Sequence, residues 1–268
     1  LEHQTLIDTW RLGDMAKSET ALDYVVPQIS LYDGLGFANS IYIHVKTNGA
    51  SASPIVVESV ESSKRRSTAQ LMLLGAFFGV ATIMIIYNYF MFRGIGDPSY
   101  LNYIGYVFFG GLSISLFNGF TFYILPYEMA KWMNQHLMIS HFCGLAFAIR
   151  FAITFLRFES LKPWFVNLGN RLSQLMFAFA FLSLFISEGT ITPLYFLSVG
   201  SIYLYAIILM ANVIRTKTLW IKYYLASWLP LFVGVGVGVA AFNGGVAYNF
   251  ITRNAAVLGV LAEICVMA

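Results

Sequence analysis

AQLMLLGAFFGVATIMIIYNYFMF, running from Ala69 to Phe92, carries no charge and exceeds the roughly 20 apolar residues that a helix needs to cross a bilayer. Outward from this stretch the pattern repeats to the end of the chain, as long apolar runs parted by short polar breaks. Hydrophobic residues make up 58% of the 268 positions and charged residues 11%, too few charges for a soluble domain of this size. The sequence therefore reads as a multi-pass membrane protein.

Seven runs are found, at 69–92, 100–125, 136–158, 172–187, 193–214, 223–243 and from 254 onward. The breaks between them hold turn residues, as in Gly94-Ile95-Gly96-Asp97-Pro98 and Leu161-Lys162-Pro163, which suit antiparallel neighbours. Lys and Arg concentrate after the first, third and fifth runs: Arg93, then Arg157, Lys162 and Arg171, then Arg215, Lys217 and Lys222. The other breaks hold only Lys131 and Arg253. This asymmetry places the first set in the cytoplasm and the N-terminus outside. Lys64-Arg65-Arg66 opposes that orientation, but a long exported N-terminal domain crosses largely regardless of flanking charge.

Residues 1–66 differ in composition, with charges, prolines and glycines among short runs rich in Val, Ile and Tyr. Strands are expected at 21–31, 40–47 and 54–60, and Ser62-Ser63-Lys64-Arg65-Arg66 is expected to be a polar linker into the first span. Three or four strands cannot close a sandwich. Residues 1–66 thus read as the C-terminal part of a jelly-roll-like β-sandwich, and residues 67–268 as a seven-helix membrane bundle cut within its last helix. The fold class expected is a mainly α membrane protein preceded by this partial β segment. The chain opens on Leu with no secretory leader pattern and stops inside an apolar run, so it reads as a fragment cut at both ends. Cys143 and Cys265 both fall in spans and imply no disulfide framework. A net charge of +3 reflects loop anchors and no nucleic-acid face.

Several short strings, taken in order, resemble one family. Leu74-Gly75-Ala76-Phe77-Phe78-Gly79, Tyr87-Asn88-Tyr89-Phe90 and Asp97-Pro98-Ser99-Tyr100-Leu101-Asn102-Tyr103 open the region. Asn118-Gly119 with Leu125-Pro126 closes the second span, and Phe151-Ala152-Ile153-Thr154-Phe155-Leu156 with Lys162-Pro163 closes the third. Trp228-Leu229-Pro230, then Leu258-Gly259 with Glu263, fall in the last two. Their order over about 200 residues closely resembles the bacterial seven-transmembrane receptors with diverse intracellular signalling modules. The resemblance implies an inner-membrane sensor. Its exported sandwich would bind an extracytoplasmic ligand, carbohydrate-like in class, and its helical unit would pass the signal to a histidine kinase, diguanylate cyclase or phosphatase. A homodimer in the lipid bilayer is the expected assembly.

Among single residues Arg150 stands out, within the third run and about 10 Å from its cytoplasmic end. A guanidinium at mid-membrane costs about 2.5–3.5 kcal/mol on insertion scales. Two readings stay open: it snorkels to the headgroups alongside Arg157, or it faces the bundle and pairs with Glu263 of the seventh run as a two-state switch. Asn88 and Asn118 are expected to hydrogen-bond between helices, and Gly75, Gly79, Gly234 and Gly238 to let helices approach closely. The glycines of Gly234-Val235-Gly236-Val237-Gly238 lie inside a span, which excludes a nucleotide loop.

Other chemistry finds little support. His136 and His141 diverge by about 140° around a helix, so a metal site is not expected. A retinal protein needs a Lys in its seventh helix, and 254–268 has none. No catalytic residue and no cofactor are expected in the bundle. A small-molecule transporter or channel subunit is the alternative, although the spans lack lines of carboxylates or paired broken helices.

Overall fold

The computed structural model describes residues 42–44, 56–156, 163–213, 219–242 and 244–267. Ten helices form among them: α1 (Val60–Ile95), α2 (Pro98–Phe117), α3 (Thr121–Ile124), α4 (Tyr127–Gln135), α5 (Leu137–Phe155), α6 (Pro163–Leu182), α7 (Glu188–Val213), α8 (Leu219–Phe242), α9 (Phe250–Arg253) and α10 (Ala255–Met267). Seven of them are long and stand where the seven apolar runs lie. By length and composition α1, α2, α5 and α7 can each cross a membrane, while α8 and α10 contain the shorter apolar stretches Ala226–Ala241 and Ala255–Met267. Most of the expected strands, and with them the sandwich segment, lie outside the described residues. Of the described parts, 42–44 and 56–59 carry no strand and Val60 opens α1.

The first helix begins earlier than the apolar run. The Ser59 hydroxyl caps it by accepting from the Ser62 amide at 3.2 Å, and Arg65 reaches back to Glu61 at 3.0 Å. Arg66 also pairs with Glu58. Local hydrogen bonds thus turn the expected linker 62–66 into helix. At 36 residues α1 is about 54 Å long, well beyond the roughly 30 Å hydrocarbon core, so its polar first turns stand clear of the apolar layer.

The hairpin to α2 follows directly from its residue types. Gly96 takes φ 78°, and its amide donates to the Phe92 carbonyl at 2.8 Å. Asp97 then caps α2 through the Ser99 amide at 2.8 Å, and Pro98 occupies the first turn, where no amide is needed. The expected second span, 100–125, ends early instead. Asn118 caps α2 and Gly119 takes φ 70°, so the chain turns into the short helices α3 and α4 before α5 starts. The fourth helix also departs from expectation. It starts at Pro163, not 172, and unwinds into turns at 183–185.

In the bundle α5 is central, packed against α2, α6 and α7, while α1 joins α2 to α10 and α10 pairs with α8. Aromatic contacts link the rest: Tyr203 to Phe232 between α7 and α8 (4.8 Å between centroids), and Phe151 to Tyr224 between α5 and α8 (5.9 Å). Large apolar side chains such as Ile83, Phe90, Phe108, Phe181 and Leu197 remain exposed around the outside. On a water-soluble protein such a surface would be a liability, whereas on this bundle it matches lipid.

Lipid tails are as apolar as the helices, so helix association depends on close van der Waals contact and interhelical hydrogen bonds. Gly105 of α2 leaves the space into which the Phe147 ring of α5 fits. A Cβ there would sit 2.5 Å from the ring. Gly169 of α6 similarly admits the Tyr205 hydroxyl of α7, whose ring stacks on Phe165 with centroids 4.4 Å apart. Polar contacts add to these: Ser173 donates to the Ala146 carbonyl across α6 and α5 at 3.1 Å, and Ser113 to Ser140 across α2 and α5 at 3.1 Å.

Candidate functional site

Two buried polar groupings occupy the seam where α1, α2, α8 and α10 meet. The first lies at the end of the bundle that holds the start of α1, the end of α2 and the start of α10. Gln70 and Asn254 form a reciprocal amide pair: Gln70 Nε2 donates to Asn254 Oδ1 at 2.8 Å, and Asn254 Nδ2 donates to Gln70 Oε1 at 2.8 Å. Gln70 Nε2 also donates to Asn118 Oδ1 at 3.2 Å, while Asn118 and Asn254 donate to the carbonyls of Ile114 and Phe250. Gln70 is 3% exposed and Asn254 0%, so water cannot substitute for these partners.

The turn before α10 is built to hold Asn254 in place. Asn249 caps α9 by accepting from the amides of Ile251 and Thr252 at 2.9 and 3.0 Å, and Thr252 Oγ1 accepts in return from the Asn249 amide at 2.9 Å. Asn254 follows at the α9–α10 junction.

The second grouping lies deeper. Nine residues beyond Asn254, about 13 Å along the helix, Glu263 is 1% exposed and its Oε2 accepts from the Tyr106 hydroxyl of α2 at 3.2 Å. Tyr103 lies one turn from Tyr106 on α2 (ring centroids 6.3 Å apart), and Tyr224 and Trp228 approach from α8 with their rings 5.8 Å apart.

Arg150 lies on the exposed face of α5, and the structure does not bring it to Glu263, whose partner is Tyr106. Among the described residues the ion pairs join Arg65 to Glu61 and Arg66 to Glu58. Replacing Arg150 by Gln and Glu263 by Gln, singly and together, should give stability changes that add to within about 0.5 kcal/mol in thermal unfolding, as for sites with no shared partner. Asn118 does hydrogen-bond between helices, to Gln70. Asn88 instead turns back on its own helix and donates to the Met84 carbonyl at 2.8 Å.

The glycines divide in the same way. Gly75 and Gly79 face outward, and a Cβ on either would find no atom of a neighbouring helix within 4 Å. Gly234 lies against α10, where a Cβ would strike the Ala255 carbonyl and come within 3.0 Å of the Gly259 Cα. Gly238 lies more loosely, with Ala256 Cβ at 3.9 Å. Sequence reasoning missed Gln70, Tyr106 and Asn254. A usable signal existed for two of them: Gln70 is the one amide in the first turns of an apolar run, and Asn254 opens another that starts at the same end of the bundle.

No curated protein and no solved structure matches the chain. The family model described as 7TM diverse intracellular signalling matches residues 70–268, from the Gln70 of the amide clamp through the helix that carries Glu263. This multi-pass membrane chain therefore belongs to the 7TM diverse intracellular signalling family.

Proposed function

We propose that the chain is the membrane unit of a bacterial inner-membrane sensor, which passes the state of an extracytoplasmic domain to a cytoplasmic signalling module. The observation that carries this reading is the amide clamp within the family-matched region. It ties α1, which follows directly on the N-terminal segment, to α10, the last described helix. A displacement of α1 along its axis would strain that clamp and move α10 with it. In this reading the N-terminal segment that precedes α1 is the end of an exported ligand-binding β-sandwich, the ligand is carbohydrate-like, and a homodimer is the working assembly. A ligand acts by binding one of two bundle arrangements more tightly than the other. The membrane unit itself performs no catalysis.

Orientation gives a direct check. In intact spheroplasts a membrane-impermeant maleimide should label a cysteine placed at Glu61 and spare one placed at Gly94, both exposed positions at opposite ends of α1. The reverse pattern would invert the proposed topology. The functional test uses the full-length protein, assaying its kinase, cyclase or phosphatase output while candidate glycans are added outside. Ligand-dependent output supports the sensor. Flux of the same ligand into proteoliposomes without any change in output would instead make the bundle a transporter.

A further inference from the structure

Glu263 is buried in the bundle, and no Lys, Arg or His forms a salt bridge with it among the described residues. Its surroundings are nevertheless polar in one specific sense. The Tyr103 and Tyr224 hydroxyls and the Trp228 indole nitrogen are all buried and have no hydrogen-bond partner among the described residues. Native proteins leave few such groups unpaired, because each costs about 1–3 kcal/mol when it loses water without replacement. Three of them in one aromatic cluster with Tyr106, which binds a buried carboxyl, call for a common explanation.

The groups converge from three helices. Tyr103 and Tyr106 come from α2, Tyr224 and Trp228 from α8, and Glu263 from α10. Glu263 accepts from the Tyr106 hydroxyl, Tyr103 packs beside Tyr106 with ring centroids 6.3 Å apart, and Trp228 stands beside Tyr224 at 5.8 Å with neither polar atom hydrogen-bonded among the described residues. Phe151 of α5 closes one side, its ring 5.0 Å from Tyr103 and 5.9 Å from Tyr224. Other titratable groups nearby are Cys265, exposed on α10 itself, and Tyr205 of α7, which lines the same small apolar cavity as Tyr224.

The chemistry of the surrounding groups selects the ligand. An indole N–H can only donate, so it cannot help to ligate a cation. Two hydroxyls and an N–H around a carboxyl instead suit water, which accepts from them and donates to the carboxyl oxygens. We propose that Glu263, Tyr103, Tyr106, Tyr224 and Trp228 form a hydrated proton-binding site, in which Glu263 takes up and releases a proton through water held by the three otherwise unpartnered donors. The donors stand on α2 and α8 and the carboxyl on α10, so proton occupancy depends on how those helices are arranged. The site is a property of the bundle and does not depend on the sensor reading.

Infrared difference spectroscopy of the full chain in lipid, titrated between about pH 4 and pH 10, tests it; those limits span free carboxyl to free tyrosine. The expected result is a C=O stretch of a protonated carboxylic acid that rises and falls with pH, shifts on exchange into D2O, and is absent in Glu263→Gln. Tyr224→Phe and Tyr103→Phe, which keep the rings, should preserve the band but move it to higher frequency as the water that donates to the carboxyl loses a group that holds it. Folding of every variant is checked by its circular dichroism. A spectrum unchanged by Glu263→Gln across the range would overturn the protonation. A Glu263 band that does not shift in D2O, or that both Tyr→Phe variants leave unmoved, would overturn the water. If Glu263→Gln does not fold, the two Tyr→Phe variants still decide, since an unmoved set of carboxyl bands in both counts against the site.

Discussion

Gly234→Val should destabilise the bundle by about 3 kcal/mol or more, the upper part of the range for overpacking, whereas Gly79→Val should change it by no more than about 0.5 kcal/mol. Both glycines lie within apolar helices, so propensity and hydrophobicity treat them alike. The difference is what surrounds them. A side chain at Gly79 enters open space. One at Gly234 meets the Ala255 carbonyl and the Gly259 Cα, which are backbone atoms and cannot rotate away. The reciprocal site is as tight: a Cβ on Gly259 would fall 2.5 Å from the Pro230 carbonyl and 3.2 Å from the Gly234 Cα. Relief would require α8 and α10 to separate, and no hydrophobic force holds them together within lipid once their contact is lost. Thermal unfolding of the full chain in nanodiscs measures both variants. A Gly234→Val protein that melts with the parent would show that the α8–α10 crossing is not the tight contact described.

That pair of glycines also shows what the sequence could and could not convey. The apolar runs announce seven helices, and Gly96-Asp97-Pro98 announces the first hairpin, because in each case the information lies within a few neighbouring residues. Facing is another matter. Gly75-xxx-Gly79 and Gly234-xxx-Gly238 have the same spacing, and only the position of α10 makes the second a contact and leaves the first bare. Arg150 and Glu263 look complementary by charge and depth, but the rotation of α5 turns one outward while that of α10 turns the other inward to Tyr106. In the membrane every helix is apolar on most sides, so no polar face reveals its rotation, as it would in water. The end of α2 escaped for a different reason. Asn118-Gly119 is a stop signal, but an apolar stretch follows it, 120–125, and the run length outweighed the local chemistry.

Gln70→Leu and Asn254→Leu should each cost about 1–2 kcal/mol, and the double variant should cost clearly less than their sum, with a coupling of about 1 kcal/mol. Each single change strands the partner's amide in a place that water does not reach: without Asn254, Gln70 Oε1 loses its donor, and without Gln70, Asn254 Oδ1 loses its own. Removing both leaves no stranded group on that pair, although Asn118 Oδ1 then loses the weaker bond from Gln70. Asn118→Leu alone should therefore cost less than either, since Gln70 Nε2 keeps its 2.8 Å bond to Asn254. A double-mutant cycle read by thermal unfolding in nanodiscs supplies all four corners, and strict additivity would mean that the pair is not coupled. The clamp should also matter for signalling. A variant that severs α1 from α10 while the rest of the bundle stays packed removes the direct polar link between the N-terminal segment and the last helix. In the full-length protein the double variant, being the less destabilised per bond removed, should fold and insert, yet its output should no longer follow ligand added outside. Output that follows the ligand undiminished would place the coupling elsewhere, most directly in the α8–α10 crossing, where Gly234 and Gly259 hold the last two spans against each other.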